Sequence, residues 1–184
     1  MNKGTAFLRA QVNGAAELHL LFTEALKDHE GEADDQRFRD LCSRYMPPML
    51  DIQRALEAYE QELNAEPGVA GTTGVVARPA ESTPGSWREL ADAAHENDFM
   101  RLMRDILMSD RSAATFRIFH EVGRQLGDTR LAELGASGEQ QHGNYNRDGN
   151  RLAQLMFMER VRDSSAQPAG EVGPELGTWR DPAV

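Results

Sequence analysis

The chain has 184 residues, with 20 Lys and Arg against 30 Asp and Glu, a single Cys, and 40% hydrophobic and 7% aromatic residues. That length suits one domain, and at this size about two thirds of the unfolded surface can be buried, so neither disulfide nor metal is needed merely to fold. A formal net charge of −10 opposes binding to nucleic acid or anionic membrane. The lone Cys excludes an intrachain disulfide and a four-Cys metal site, and no apolar run approaches the roughly 18 residues of a membrane span. The N-terminus lacks an uninterrupted apolar segment of signal-peptide length, so a cytoplasmic protein is expected.

From Thr5 to about His29, Leu8, Val12, Ala15, Leu18, Phe22 and Leu26 recur at three- and four-residue steps and predict one amphipathic helix. His19 falls near the edge of that stripe and Gln11 at its centre. The second segment is more regular. Phe38, Cys42, Tyr45, Met49, Ile52, Leu56, Tyr59 and Leu63 alternate steps of four and three, the seam of helices packed at a shallow angle. Pro47 and Pro48 remove two N–H donors from this helix. The seam keeps its phase across them, which predicts one kinked helix.

Between Pro67 and Gly85, seven of 19 residues are Pro or Gly, and Ser164–Val184 carries three of each. Both stretches are too poor in apolar residues to order themselves, so the first is expected to be a linker and the second a disordered tail. After the linker, Ser86-Trp87-Arg88-Glu89 reads as a capping box. It opens a third helix through Leu90, Ala94, Phe99, Leu102, Met103 and Ile106, expected to stop near Ser109-Asp110. A fourth helix then carries Phe116, Phe119, Val122 and Leu126 and closes at Gly127. A fifth segment runs from Asp128 to about Arg162. Its middle holds Gly138, Gly143 and Gly149, each costing a helix about 1 kcal/mol relative to Ala. Leu134, Gly138, His142, Tyr145, Gly149, Leu152 and Met156 nevertheless share one face, which predicts a helix with a close-approach surface.

A helix of about 24 residues is roughly 36 Å long, and 19 extended residues reach about 60 Å. The linker can therefore carry the chain the length of a bundle. The expected fold is all-α: an up-down four-helix bundle in residues 1–163, with a long crossover between the second and third helices.

Gly85-Ser86-Trp87, Ala93-Ala94-His95 and Asp98-Phe99-Met100-Arg101-Leu102 resemble the start of the second half in a family of uncharacterised bacterial ferritin-like four-helix-bundle proteins. Asp34-Asp35-Gln36-Arg37-Phe38 is similar to the opening of a helix in the first half. The resemblance spans roughly residues 15–160. It implies a fold, since the family has no assigned activity. Di-metal members of the wider superfamily take a Glu from each of two helices and Glu-x-x-His from each of the others, holding two iron or manganese ions. One such motif is present, Glu139-Gln140-Gln141-His142. The second helix has Arg44-Tyr45-Met46-Pro47-Pro48-Met49 where the pattern wants another, and Glu17, Glu24 and Glu121 point outward.

Too few ligands converge for the usual di-metal centre. Glu139 and His142 are the leading metal candidates, with His19, His95 and His120 behind them, and a half-exposed His142 on a polar face is the simpler reading. Cys42 on the seam reads as a small hydrophobe. Gly68-x-x-Gly71-x-x-Gly74 lacks the Lys-Ser/Thr of a phosphate loop. The residues assign no catalytic group and call for no cofactor. The expected function is a non-enzymatic bundle acting by association with itself or a protein partner, without nucleic acid or membrane. The alternative is an iron- or manganese-binding protein with an atypical site around Glu139 and His142.

Overall fold

The computed structural model describes residues 3–65 and 97–166. The Pro67–Gly85 linker, the Ser86–Glu89 capping box and most of the C-terminal tail lie outside them. Four helices make up the described chain: α1 Lys3–Glu32, α2 Gln36–Ala65, α3 Asp98–Leu126 and α4 Thr129–Ala166.

The first turn is set by Asp35, which precedes α2. Its carboxylate accepts the Arg37 amide at 2.9 Å and its carbonyl accepts from Phe38 and Arg39, satisfying donors that the helix start leaves open. α2 then runs as one helix through Pro47 and Pro48. Their rings and the carbonyls of Ser43 and Arg44, which lose their donors, sit on outward or partly outward positions where water can replace the missing bonds. Every residue of the Phe38–Leu63 seam is buried.

α3 begins at Asn97, whose side chain accepts the Met100 amide at 3.2 Å. It continues without interruption to Gly127, where the expected stop near Ser109-Asp110 does not occur. The reason is the register. Asp98, Leu102, Asp105, Ser109, Ser112, Phe116, Phe119 and Gly123 are all buried at alternating steps of four and three. Ser109 and Ser112 therefore lie on the seam, and the Ser112 hydroxyl bonds the Met108 carbonyl instead of capping a new helix. The end of α3 is as the sequence predicts. Gly127 is left-handed at φ 71°, and the Asp128 amide donates to the Gly123 carbonyl at 2.8 Å, a Schellman closure.

The bundle ring runs α1, α2, α4, α3, so α1 faces α4 and α2 faces α3 across the axis. At one end the Asp35 amide donates to Asp98 at 2.6 Å and Arg37 pairs with Glu159. At the other, the Tyr59 hydroxyl donates to Asp128 at 2.6 Å, Arg130 pairs with Glu62, and Arg9 bonds the Leu63 carbonyl. α2 and α3 thus run in one direction and α1 and α4 in the other. Ala65 and Asp98 sit at opposite ends.

The expected helix with a close-approach face is present as α4, and its last turn continues past Ser164 to Ala166. A Cβ on Gly135 would come within 2.6 Å of the Phe116 carbonyl oxygen and 2.7 Å of the His120 Cα, and one on Gly138 would enter the Phe116 ring. Gly135 lets α3 and α4 pack backbone to backbone and Gly138 makes room for the Phe116 ring, which offsets their poor helix propensity. Gly143 has open space around it. Gly143→Ala should accordingly raise unfolding free energy by about 1 kcal/mol, whereas Gly135→Ala should lower it by about 2 kcal/mol or more through forced separation of α3 and α4. Urea unfolding of the two variants measures both.

Candidate functional site

Buried polar residues interrupt the apolar interior on every helix, among them His19 and His29 on α1, Cys42 and Gln53 on α2, Asp105 and Ser109 on α3, and His142 and Tyr145 on α4. On α1 the true seam is Val12, Ala15, His19, Phe22, Leu26 and His29, all buried. Gln11, expected at its centre, is exposed. Its outward place follows from a seam that passes through the histidines.

One cluster centres on His19 and His142, whose rings lie 5.2 Å apart at 89°. Both are 0% exposed, so the half-exposed His142 of the sequence reading is replaced by a core residue. His19 Nδ1 is 3.0 Å from Gln53 Oε1, and Gln53 Nε2 donates to Glu57 at 2.9 Å. The amide is thereby oriented with its oxygen toward the imidazole, so Nδ1 carries the hydrogen and Nε2 is a bare lone pair. His142 Nδ1 lies 2.9 Å from the Ser109 hydroxyl, which is also 3.3 Å from the His142 carbonyl. Neither Nε2 has a partner. Phe116 stacks on His142 at 5.5 Å and Phe22 approaches it at 5.1 Å, closing the cluster in aromatic rings. Burial pushes His19 down to about 4 against the pull of Gln53, and burial together with the neighbouring His19 pushes His142 down to about 3.

The second cluster joins His29, Cys42 and Asp105, one residue from each of three helices, with one ligand atom of each inside 4.8 Å of the others. His29 Nδ1 is 2.7 Å from Asp105 Oδ2, the Tyr145 hydroxyl donates to the same oxygen at 3.4 Å, and Arg104 lies 3.1 Å from His29 Nε2. Asp105 Oδ1 is buried without a partner. Burial raises the Asp105 carboxyl above its ordinary value, although the His29 and Tyr145 bonds oppose the shift. Burial foremost, then the Asp105 charge, also pushes the Cys42 thiol up. Nitrogen, sulfur and oxygen donors thus meet in a site screened from water, where an ion would have to compete with the His29–Asp105 bond.

Of the described residues singled out from sequence as metal candidates, His19 and His142 come together and Glu139 and His120 do not join them. Glu139 turns to the surface and pairs with Arg117 at 2.7 Å. His120 Nδ1 bonds the Ala132 carbonyl at 2.9 Å, on the α3–α4 contact. His95 lies outside the described residues. Asp105 and Ser109 escaped notice because a helix break was expected at Ser109, and His29 because it was read as the end of a helix. The signal was there in the unbroken seam spacings. Comparison with protein-family models, with curated proteins and with solved structures finds no match for this chain.

The depressed imidazoles give a pH signature. Their folded values lie below the unfolded 6.5, so the unfolded chain takes up protons first as pH falls. Stability is complete above about pH 6.5 and drains away toward pH 4 and below. Asp105 acts in the opposite sense, since a raised folded value gives stability that is lost as pH rises through it. That contribution cancels when wild type is compared with His142→Phe. Between pH 6.5 and 4.5 the wild type should lose about 2 kcal/mol more than the variant, at about 1.4 kcal/mol per pH unit for one proton. Equal slopes in denaturant titrations across that range would show that His142 is not buried neutral.

Proposed function

We propose that this chain is a ferritin-like bundle that binds a divalent transition-metal ion in its core through His29, Cys42 and Asp105. The fold part rests on helix order and direction: Ala65 and Asp98 stand at opposite ends, and residues 66–96 can reach about 100 Å when extended, against about 45 Å for a 30-residue helix. A long connection between α2 and α3 is the ferritin-like arrangement.

The observation that carries the metal reading is the convergence of three donors of different type on one buried point. A bundle that served only to hold its helices together would be better off with apolar residues there, because buried ionisable groups cost several kcal/mol each. A divalent ion held by thiolate and carboxylate is neutralised by its own ligands. The orphaned Asp105 Oδ1 supplies a further acceptor. A thiolate donor turns preference away from manganese, an oxygen-ligand metal, and toward zinc, with ferrous iron behind it. Glu139 takes no part. When bound, the ion would add its binding energy to folding.

Association with a second copy or a partner is the second reading. It is favoured by Leu155, Phe157, Met158 and Val161, which leave the last turns of α4 with an exposed apolar surface.

Chelator-treated protein should gain about 5–10 °C in melting temperature with excess zinc, the equivalent of roughly 2.7 kcal/mol at a hundredfold excess over Kd. Cobalt should give a sulfur-to-metal charge-transfer band that vanishes in Cys42→Ser, and Asp105→Asn should abolish the zinc shift. Coincident melts with no cobalt band would overturn the metal reading and leave association in first place.

A further inference from the structure

We propose that His19 and His142 form a second ion site, a two-imidazole clamp for a monovalent soft cation of the cuprous class. It is independent of the His29–Cys42–Asp105 site and stands on different side chains.

Two imidazoles from helices that face each other across the axis meet with ring centroids 5.2 Å apart. Each is fully buried, and each leaves its Nε2 without a partner. One unpartnered nitrogen of this kind costs about 1–3 kcal/mol. Two such nitrogens on rings whose centroids are 5.2 Å apart make a packing role a poor account, since Leu or Phe would fill the space without that cost. The Nδ1 atoms are held from outside. Gln53, itself fixed by Glu57, sets the tautomer that bares the His19 lone pair, and the Ser109 hydroxyl restrains His142. Metal-ligating histidines are oriented in this way by hydrogen bonds at the nitrogen away from the ion.

The charge of the surroundings selects the ion. Among the described residues, the side-chain hydrogen-bond partners of the two rings are neutral, Gln53 and Ser109, and their ring neighbours are each other, Phe22 and Phe116. No carboxylate or thiolate among the described residues is bonded to either imidazole to neutralise an ion. The cost of placing an ion in a low-dielectric medium grows as the square of its charge, so a divalent ion with two neutral ligands is strongly disfavoured here. A monovalent alkali ion would want oxygen ligands. A closed-shell cuprous ion accepts two imidazole nitrogens and a low coordination number, and its single charge is the least costly to bury.

The test uses the full-length chain carrying Cys42→Ser, which removes the thiol that would otherwise compete for copper. Under anaerobic conditions, cuprous ion is titrated against a chromophoric chelator, and silver(I) serves as a redox-silent probe in melting experiments. The expected result is one cuprous ion per chain, X-ray absorption dominated by two nitrogen ligands without sulfur, and a raised melting temperature with silver. His142→Phe in the same background keeps the aromatic packing of Phe22 and Phe116 and should abolish binding. His19→Phe provides the same test should the first variant not fold. Gln53→Leu should weaken binding about tenfold, as loss of an orienting partner does. Binding that persists in both Phe variants, a sulfur-dominated ligand sphere, or no binding by Cys42→Ser overturns the proposal. Because zinc at the other cluster needs Cys42 and cuprous ion at this one does not, failure of either site leaves the other result readable.

Discussion

Polar groups on the axis of a dry bundle must find partners or be paid for in stability. His19, His29, Cys42, Asp105, Ser109, His142 and Tyr145 sit where a heptad seam would ordinarily place Leu or Ile, and Gln53 is buried beside the seam residue Ile52. Most of their atoms are satisfied by one another across helices: Gln53 holds His19, Ser109 holds His142, and Asp105 takes bonds from His29 and Tyr145. The unsatisfied remainder is concentrated. His19 Nε2 and His142 Nε2 belong to one cluster and Asp105 Oδ1 to the other. Among the described residues, Arg9 Nε and Asn146 Oδ1 are also buried without a partner, outside both clusters; the three atoms at the axis fall at two points, where a bound group would satisfy them.

The α3–α4 contact is what keeps those points rigid. Gly123, Gly135, Gly138 and Gly149 occur where one helix meets the other, and side chains at the first three would collide with Ala132, with Phe116 and His120, and with the Phe116 ring. Close approach at these positions, to backbone at Gly123 and Gly135 and to side chains at Gly138 and Gly149, fixes the rotation of α4, and with it the aim of His142 and Tyr145. Phe116 contributes twice, filling the space above Gly138 and stacking on His142. A change at a glycine far from either cluster can therefore turn a cluster side chain without touching it.

Much of the architecture was legible in the sequence because it rests on periodicity. The seam of α2 and the inward face of α4 could be read residue by residue, and Gly127 marked the end of α3. What resisted reading was the polar part of the seams. A Ser or Asp at a core position looks like a cap when taken alone, and Ser109-Asp110 was taken that way. Only the phase running from Asp98 to Gly123 identifies Asp105 and Ser109 as interior. The same holds for α1, where a stripe drawn through Leu8 and Leu18 missed the one through His19 and His29. Glu139 illustrates the converse. Its spacing to His142 matches a metal motif, yet three residues around the helix carry it from the core to Arg117 at the surface.

The two clusters differ most in charge, and that difference argues against treating them as halves of one dinuclear centre. Ferritin-like di-metal sites neutralise two divalent ions with several shared carboxylates. Cys42 and Asp105 stand with His29, whereas the side-chain hydrogen-bond partners of His19 and His142 among the described residues are the neutral Gln53 and Ser109. A second divalent ion placed at the imidazole pair would bring two uncompensated charges into a wall of phenylalanine. Repulsion from an ion at the first cluster would add to that cost, because little screening is available inside the bundle. On the proposed reading, two ions of unequal charge would occupy separate points along the axis, each matched to the donors nearest to it.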